Sequence, residues 1–240
     1  MSIGIRKALI LAGGKGERLR PLTLTTPKPL LDVGGKPILQ WNIELARKFG
    51  VTEVVLGIGG MTDPLVDFFG NGKKFGIKIS YSIEKEFLGT AGALKLAEEH
   101  FQREEKFIMM NGDEVKDVQF EKLNGVFEKH RAMGVIGLTP VSDVSQFGSV
   151  KLEGDAITAF LEKSQSPANE KGLVNCGAYI LSSKVLDGIP TQANVSIEKQ
   201  VFPMLAQNKT LFGVEATRQW FPTDDLQRLE TARKHWKTVF

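Results

Sequence analysis

The sequence is poor in the residues that build several common kinds of site. It has one cysteine, Cys176, which excludes an intrachain disulfide and a cysteine-based zinc cluster. Its three histidines, His100, His130 and His235, are far apart and form no metal-binding signature. No apolar run reaches the roughly 18 residues of a membrane span, and the N-terminus has no apolar stretch of signal-peptide length. Charge is nearly balanced, with 31 basic and 28 acidic residues in 240, so the basic excess of a dedicated nucleic-acid binder is missing. There is no internal repeat, no hexapeptide repeat of β-helix type and no Pro/Ser-rich linker. These absences leave a reduced, cytoplasmic globular protein as the expectation, with neither nucleic acid nor a membrane as partner.

What is present is an alternation of short apolar runs with helical patterns. "KALILA" (Lys7–Ala12) is an unbroken apolar run, as expected of a strand covered on both faces. A helix is predicted over 37–49, started by Pro37, with Ile38, Trp41, Leu45 and Phe49 on one face and Gly50 as its stop. Further strands are predicted at 51–59, 77–83, 107–110 and 135–139, with helices started at 62–64 and ended at Gly70, at 90–101 and at 120–131 between them. This order predicts an α/β fold with a Rossmann-like, mixed but mostly parallel sheet and helices on both faces. After Pro140 short strands dominate, followed by helices at 195–207 and from about 225. One domain is expected over 1–240, with a first part at 1–140 and a second lobe at 141–240 that continues the same sheet.

The first strand runs into "GGKGERLRP" and then "TPKPLL". Glycines after a strand let backbone N–H groups approach phosphate, because no Cβ intervenes. Gly13, Gly14 and Gly16 suit that role. Leu19 stands where a Rossmann fingerprint needs Gly or Ala, and the Gly35–Lys36–Pro37 stretch lacks the glycine and hydroxyl of a Walker A loop. Arg18 and Lys28, the latter stiffened between two prolines, would complete a triphosphate site. A second glycine turn, "LGTAG", opens a helix at Gly89 and Thr90, where backbone N–H groups and a hydroxyl could meet a base or phosphate. "FIMMNGDE" brings Asp113 to the end of a strand, a carboxylate suited to a magnesium ion shared with phosphate oxygens. Glu114, pointing the other way along the chain, is expected to be structural. Trp41, Trp220 and Trp236 are expected in the core, and Cys176 as a small buried residue.

These motifs, in this order, closely resemble the sugar-1-phosphate nucleotidyltransferases. The resemblance covers the glycine loop and Pro-Lys-Pro, "GGKPIL", "FGIKISYSIEKEFLGTAGAL", "NGDEVKD", "FG", "FLEK" and "NCGAYIL", nearly the whole chain. It implies that Leu11, Ala12, Gly13, Gly14, Lys15, Gly16, Glu84, Gly89, Thr90 and Gly112 bind the nucleotide. It implies that Arg18, Lys28 and Asp113 are catalytic, with Asp113 also a Mg²⁺ ligand. Gly148, Glu162, Lys163, Asn175 and Gly177 would bind the sugar phosphate. The usual Trp-x-Asp ligand is absent, since Pro222 occupies its place in "WFPTDD"; the cytidylyltransferase version of the motif puts the second metal ligand at Asp224, with Asp225 an alternative or a helix N-cap.

The resemblance further implies transfer of a nucleotidyl group from an NTP to a hexose 1-phosphate. A carboxylate at the base-contacting position 84 suits guanine, which presents N1–H and N2–H₂ together, and the favoured pair is GTP with mannose 1-phosphate. Cytidylyl, thymidylyl or uridylyl transfer to glucose 1-phosphate stays open, as does a non-catalytic regulatory homologue that binds nucleotide sugar. Relatives are often homodimers, though no interface is marked in the sequence. Longer relatives carry a C-terminal β-helix that assembles or acetylates; neither added activity is expected here.

Overall fold

The computed structural model describes residues 2–161 and 169–238. The expected sugar-phosphate ligands Glu162 and Lys163 lie outside the described residues. In chain order the elements are β1 (Lys7–Leu11), the short pair β2 (Asp32–Val33) and β3 (Lys36–Pro37), α1 (Ile38–Lys48), β4 (Glu53–Gly59), α2 (Asp63–Phe69), β5 (Lys78–Glu84), α3 (Gly89–Leu96), β6 (Lys106–Asn111), β7 (Glu114–Val118), α4 (Phe120–His130) and β8 (Gly134–Val141). They continue as β9 (Ser149–Glu153), β10 (Ala156–Leu161), β11 (Gly172–Ser182), α5 (Phe202–Gln207), β12 (Leu211–Glu215), β13 (Thr217–Pro222) and α6 (Leu226–His235).

One nine-stranded sheet runs through both parts of the chain in the order β5-β4-β1-β6-β11-β8-β12-β10-β9. The pairs β5–β4, β4–β1 and β1–β6 are parallel. Strand β11 then enters antiparallel to both β6 and β8, and β8 pairs parallel with β12. Helices cover both faces, because the strand side chains alternate between them. On one face α1, α2 and α4 bury Ile43, Phe69 and Phe120 over Ala8, Ile10, Val54 and Ile108. On the other, α3 and α5 bury Leu94 and Phe202 over Leu9, Val55, Met109 and Tyr179. A third cluster seats α6 beside the glycine-loop segment, joining Leu19, Trp41, Leu229 and Trp236; the Trp41 and Trp236 rings meet edge to face at 5.5 Å. Among the described residues no helix is long and apolar enough to cross a membrane.

Four features depart from the sequence reading. Pro37 belongs to β3, so α1 begins at Ile38. The stretch after Asp113 is a strand, β7, paired antiparallel with the equally unforeseen β13 in a small second sheet. Both strands are short and rich in charged or aromatic residues, so neither shows apolar alternation. The helix expected over 195–207 begins as a π turn at Ile197–Val201 before α5 takes over. The helix after "LGTAG" ends at Leu96 and a 3₁₀ turn follows.

Candidate active site

In an open α/β sheet a ligand site forms beyond the carboxyl ends of the strands where neighbouring connections diverge. Here β1 lies between β4 and β6, and the glycine loop leaves β1 at that point. A cleft of about 190 Å³ opens there, lined by Leu11, Gly13, Gly14, Glu84, Gly89, Thr90, Asn111 and Asp113, with Phe87 and Ala93. Gly13 lies in close approach to its neighbours: a Cβ there would sit 3.0 Å from Glu84 Oε1 and 3.2 Å from the Gly59 nitrogen. Glu84 ends β5, and its Oε2 accepts a 3.1 Å bond from the Leu88 N–H. Burial pushes its carboxyl above the ordinary range despite that bond. Ala12 is buried beneath the loop and Lys15 is exposed on it. Gly112 packs against Ile10 and Leu11 rather than lining the cleft.

The cleft meets a second cavity of about 420 Å³ at Asn111 and Asp113, which line both. Lys28 is almost fully buried and its Nζ sits 2.8 Å from Asp113 Oδ2. Burial alone would raise the Asp113 carboxyl, but the Lys28 ammonium beside it holds it below the usual range. Across the cavity, Asp224 takes Arg18 at 2.7 Å on one oxygen and Arg228 at 2.8 Å on the other. Burial again acts upward, and Arg228 and Arg18 outweigh it, so Asp224 is also held low. Asp225 caps α6 instead, accepting the Arg228 N–H at 2.8 Å. Asp113 and Asp224 are therefore brought to one cavity, ionised and already facing cations. Oxygen-only donors in this number suit Mg²⁺, which keeps waters and phosphate oxygens in its remaining positions. Among the described residues no group of three or more His, Cys, Asp or Glu side chains is gathered to hold a metal by protein ligands alone.

The rest of the larger cavity is built on a bulge in β11. The register against β8 breaks between Asn175 and Tyr179. Asn175 bridges the bulge, accepting the Gly177 N–H at 2.9 Å and donating to the Tyr179 hydroxyl at 2.8 Å. Gly177 has φ +62°, and a Cβ there would fall 2.2 Å from Glu114 Oε1, so only glycine fits. Lys116 anchors the other side. Its side chain is fully buried and donates to the carbonyls of Asn111, Cys176 and Gly177 at 3.0, 3.1 and 2.8 Å and to Glu114 Oε1 at 2.7 Å. Gly148, Asn175 and Gly177 all line this cavity, as do Glu114, Trp220, Glu198 and Arg228.

Several expectations change at this level. Arg18 and Lys28 line the larger cavity rather than the narrow cleft, each on a carboxylate. The Thr90 hydroxyl is engaged within the protein, donating to Glu198 Oε2 and accepting from the Ile197 N–H, both at 2.8 Å. Glu114 is held within the protein by Lys116 and by the Trp220 indole N–H at 2.8 Å, and it also lines the cavity; burial raises its carboxyl. Trp220 packs against the core while also lining the cavity, whereas Trp41 and Trp236 are buried. Cys176 is fully buried and its thiol is pushed up to about 12 by burial, which leaves it without nucleophilic character. Lys116, Glu198 and Arg228 were missed; the only signal for Lys116 was a lysine set among residues that turn out to be buried.

Residues 7–237 match the profile of the nucleotidyl transferase family. The chain is 44% identical over 218 residues to mannose-1-phosphate guanyltransferase beta-B of Xenopus laevis, covering 89% of this chain and 60% of that protein. It is 37% identical over 219 residues to mannose-1-phosphate guanyltransferase of Candida albicans, with the same coverage. The chain thus spans about 60% of the length of these curated relatives. Among solved structures, HddC from Yersinia pseudotuberculosis complexed with GMP-PN superposes with a TM-score of 0.78 at 27% identity, covering 97% of this chain and 100% of that one. The chain belongs to the nucleotidyl transferase family, and within it to the sugar-1-phosphate nucleotidyltransferases that its motifs resemble.

Proposed function

We propose that this protein transfers a guanylyl group from GTP to mannose 1-phosphate, releasing pyrophosphate and forming GDP-mannose. The observation that carries the reading is the place of Glu84, a carboxylate beside the glycine loop in a narrow cleft that opens onto Asp113. An ionised carboxylate accepts from the N1–H and N2–H₂ edge of guanine and has nothing to donate to the acceptor-rich edge of cytosine. The names of the relatives and the guanine nucleotide in the HddC structure support the same base.

In this reading the base enters between the glycine loop and the turn at Gly89, and the phosphates run toward Asp113. A sugar phosphate oxygen attacks the α-phosphorus in line as pyrophosphate leaves, with no covalent enzyme intermediate. The protein's task is to hold two anions together and offset the charge that builds between them. Mg²⁺ held by Asp113 and Asp224 would supply electrophilic neutralisation of the phosphate oxygens. Arg18 reaches into the cavity from the glycine-loop segment and is about two-thirds exposed, so it can turn from Asp224 to the leaving phosphates. Lys28, nearly buried on Asp113, holds that carboxylate in place and keeps a positive charge at the junction of cleft and cavity. The wall of Gly148, Asn175 and Gly177 receives the hexose, with Lys163 assigned to its phosphate.

The test is pyrophosphate release with Mg²⁺ over a grid of GTP, CTP, UTP, dTTP and ATP against mannose, glucose, galactose and N-acetylglucosamine 1-phosphates. A dominant GTP and mannose 1-phosphate cell is expected. A dominant CTP cell, or a folded protein that binds nucleotide and turns over nothing, would overturn the proposal.

A further inference from the structure

One hydrogen-bonded seam joins a wall of the narrow cleft to a wall of the larger cavity. Residues 193–199 are fastened along the turn that opens α3. The Val195 N–H donates to the Leu88 carbonyl at 2.8 Å, and the Val195 carbonyl accepts from Ala91 and Gly92 at 2.9 and 3.2 Å. The approach is so close that a Cβ on Gly89 would lie 2.6 Å from the Val195 oxygen. Thr90 completes the seam, with its hydroxyl between the Ile197 N–H and Glu198 Oε2. Ser196 donates to the same Glu198 oxygen at 2.8 Å. Two hydroxyls on one carboxylate oxygen fix the plane of the group, and the chain there is a π turn, a form often found at functional sites.

The two ends of this seam face different ligand spaces. Gly89 and Thr90 line the narrow cleft, whereas Ser196 and Glu198 line the larger cavity with Gly148, Asn175 and Gly177. A hexose ring offers adjacent hydroxyl donors, and a pre-oriented carboxylate is the strongest neutral-pH acceptor for them. A glutamate in the first turn of a helix ordinarily complements the helix dipole in solvent. Here the side chain is instead pinned by a threonine 108 positions away.

We propose that Glu198 positions the hexose by accepting hydrogen bonds from its ring hydroxyls, and that Thr90 sets the direction of that carboxylate from the nucleotide side. The inference rests on the sugar-phosphate reading above. Thr90 then serves sugar recognition while its backbone lines the nucleotide cleft, so the two substrate sites share one hydrogen-bonded hinge.

The experiment compares wild type with Glu198→Gln, Thr90→Val and Thr90→Ser, measuring KM for each substrate in turnover and calorimetric binding of hexose 1-phosphates. Glu198→Gln should raise the KM for mannose 1-phosphate about 10- to 100-fold, the loss of a hydrogen bond to a charged group, while the KM for GTP changes less than about threefold. Thr90→Val should shift the same KM about fivefold, and Thr90→Ser should restore it, because serine keeps the hydroxyl. A series of deoxymannose 1-phosphates adds a readout that a purely structural role would not move. Wild type should discriminate against at least one of them, and Glu198→Gln should treat that analogue like the parent sugar. Equal rises in both KM values, no change in either, or unchanged discrimination in Glu198→Gln would overturn the inference. A wild type that prefers another hexose 1-phosphate overturns the mannose reading alone, and Glu198 is then judged with that sugar. A wild type that binds no hexose 1-phosphate overturns both.

Discussion

The Thr223 hydroxyl donates a 2.7 Å hydrogen bond to the backbone carbonyl of Asp113. The two residues are 110 positions apart, and each flanks one strand of the small β7–β13 sheet, where Pro222 faces Glu114. That bond fastens the strand end carrying Asp224 to the one carrying Asp113. Thr223 is fully buried. Thr223→Val keeps the shape and removes the donor, so it should cost about 1–3 kcal/mol and lower Tm by about 2–10 °C. If the bond also sets the spacing of the carboxylates, the Mg²⁺ concentration for half-maximal rate should rise about 3- to 10-fold. Thermal unfolding and a magnesium titration of turnover check the two effects separately.

Arg18→Ala should lower kcat by at least about 100-fold, as loss of a donor aimed at developing charge does elsewhere. Its stability effect should be small, because the side chain is about two-thirds exposed and the Asp224 pair it leaves is still held by Arg228. A near wild-type rate in steady-state pyrophosphate release would remove Arg18 from the chemistry.

Lys116→Met should behave in the opposite way. Removing the ammonium leaves three carbonyls and Glu114 short of a donor in a dry interior. Breaking a buried pair of this kind costs about 3–5 kcal/mol, or roughly 6–20 °C in Tm for a chain of this size. Differential scanning calorimetry reads the loss. Because those carbonyls form the Gly177 bulge, the KM for sugar phosphate should rise with it, while nucleotide binding is affected less.

Glu84 should give GTP binding a pH dependence. Burial raises its carboxyl, whereas Asp113 and Asp224 are held low by their cations. On acidification Glu84 therefore takes up a proton first, and a protonated carboxyl loses the acceptor that faces guanine. The KM for GTP should climb as pH falls from neutral toward the ordinary carboxylate range, before Asp113 and Asp224 take up protons. Glu84→Gln should start higher and stay flat over that interval. The contribution of Asp113 and Asp224 to stability has the other sign: present at neutral pH, it is lost as pH falls through their depressed values. Glu84 and Glu114, whose carboxyls burial raises, bind protons more readily in the folded chain than in the unfolded one, so unfolding midpoints should not fall over the interval in which the KM moves.

The central strands β1, β4, β6 and β8 were readable because each is an apolar run bounded by glycine or charge, and the glycine-loop part of the candidate site was readable because its glycines follow such a run. Asp113 and Asp224 were singled out one by one as candidates. What joined them was not visible, since β7 and β13 carry charged and aromatic residues whose burial depends on pairing across a hundred positions. Lys116 and Glu198 escaped for the same reason: a lysine or glutamate in isolation reads as a solvated side chain, and only tertiary contacts show what it holds. Trp220 read as core because indoles usually are, although its N–H needed a partner and found Glu114 in the cavity wall.

Strand β11 lies between β6 and β8 in space but follows both in the chain. While the chain is being synthesised, β6 and β8 must wait with facing edges unpaired until residues 172–182 leave the ribosome. Open strand edges are templates for pairing with other molecules, and pairings this distant in sequence form slowly. The strand that carries the cavity bulge is thus also the one that seals the sheet. Nascent chains halted before residue 172 should clump in the cell, whereas those released after β11 has docked should stay dispersed.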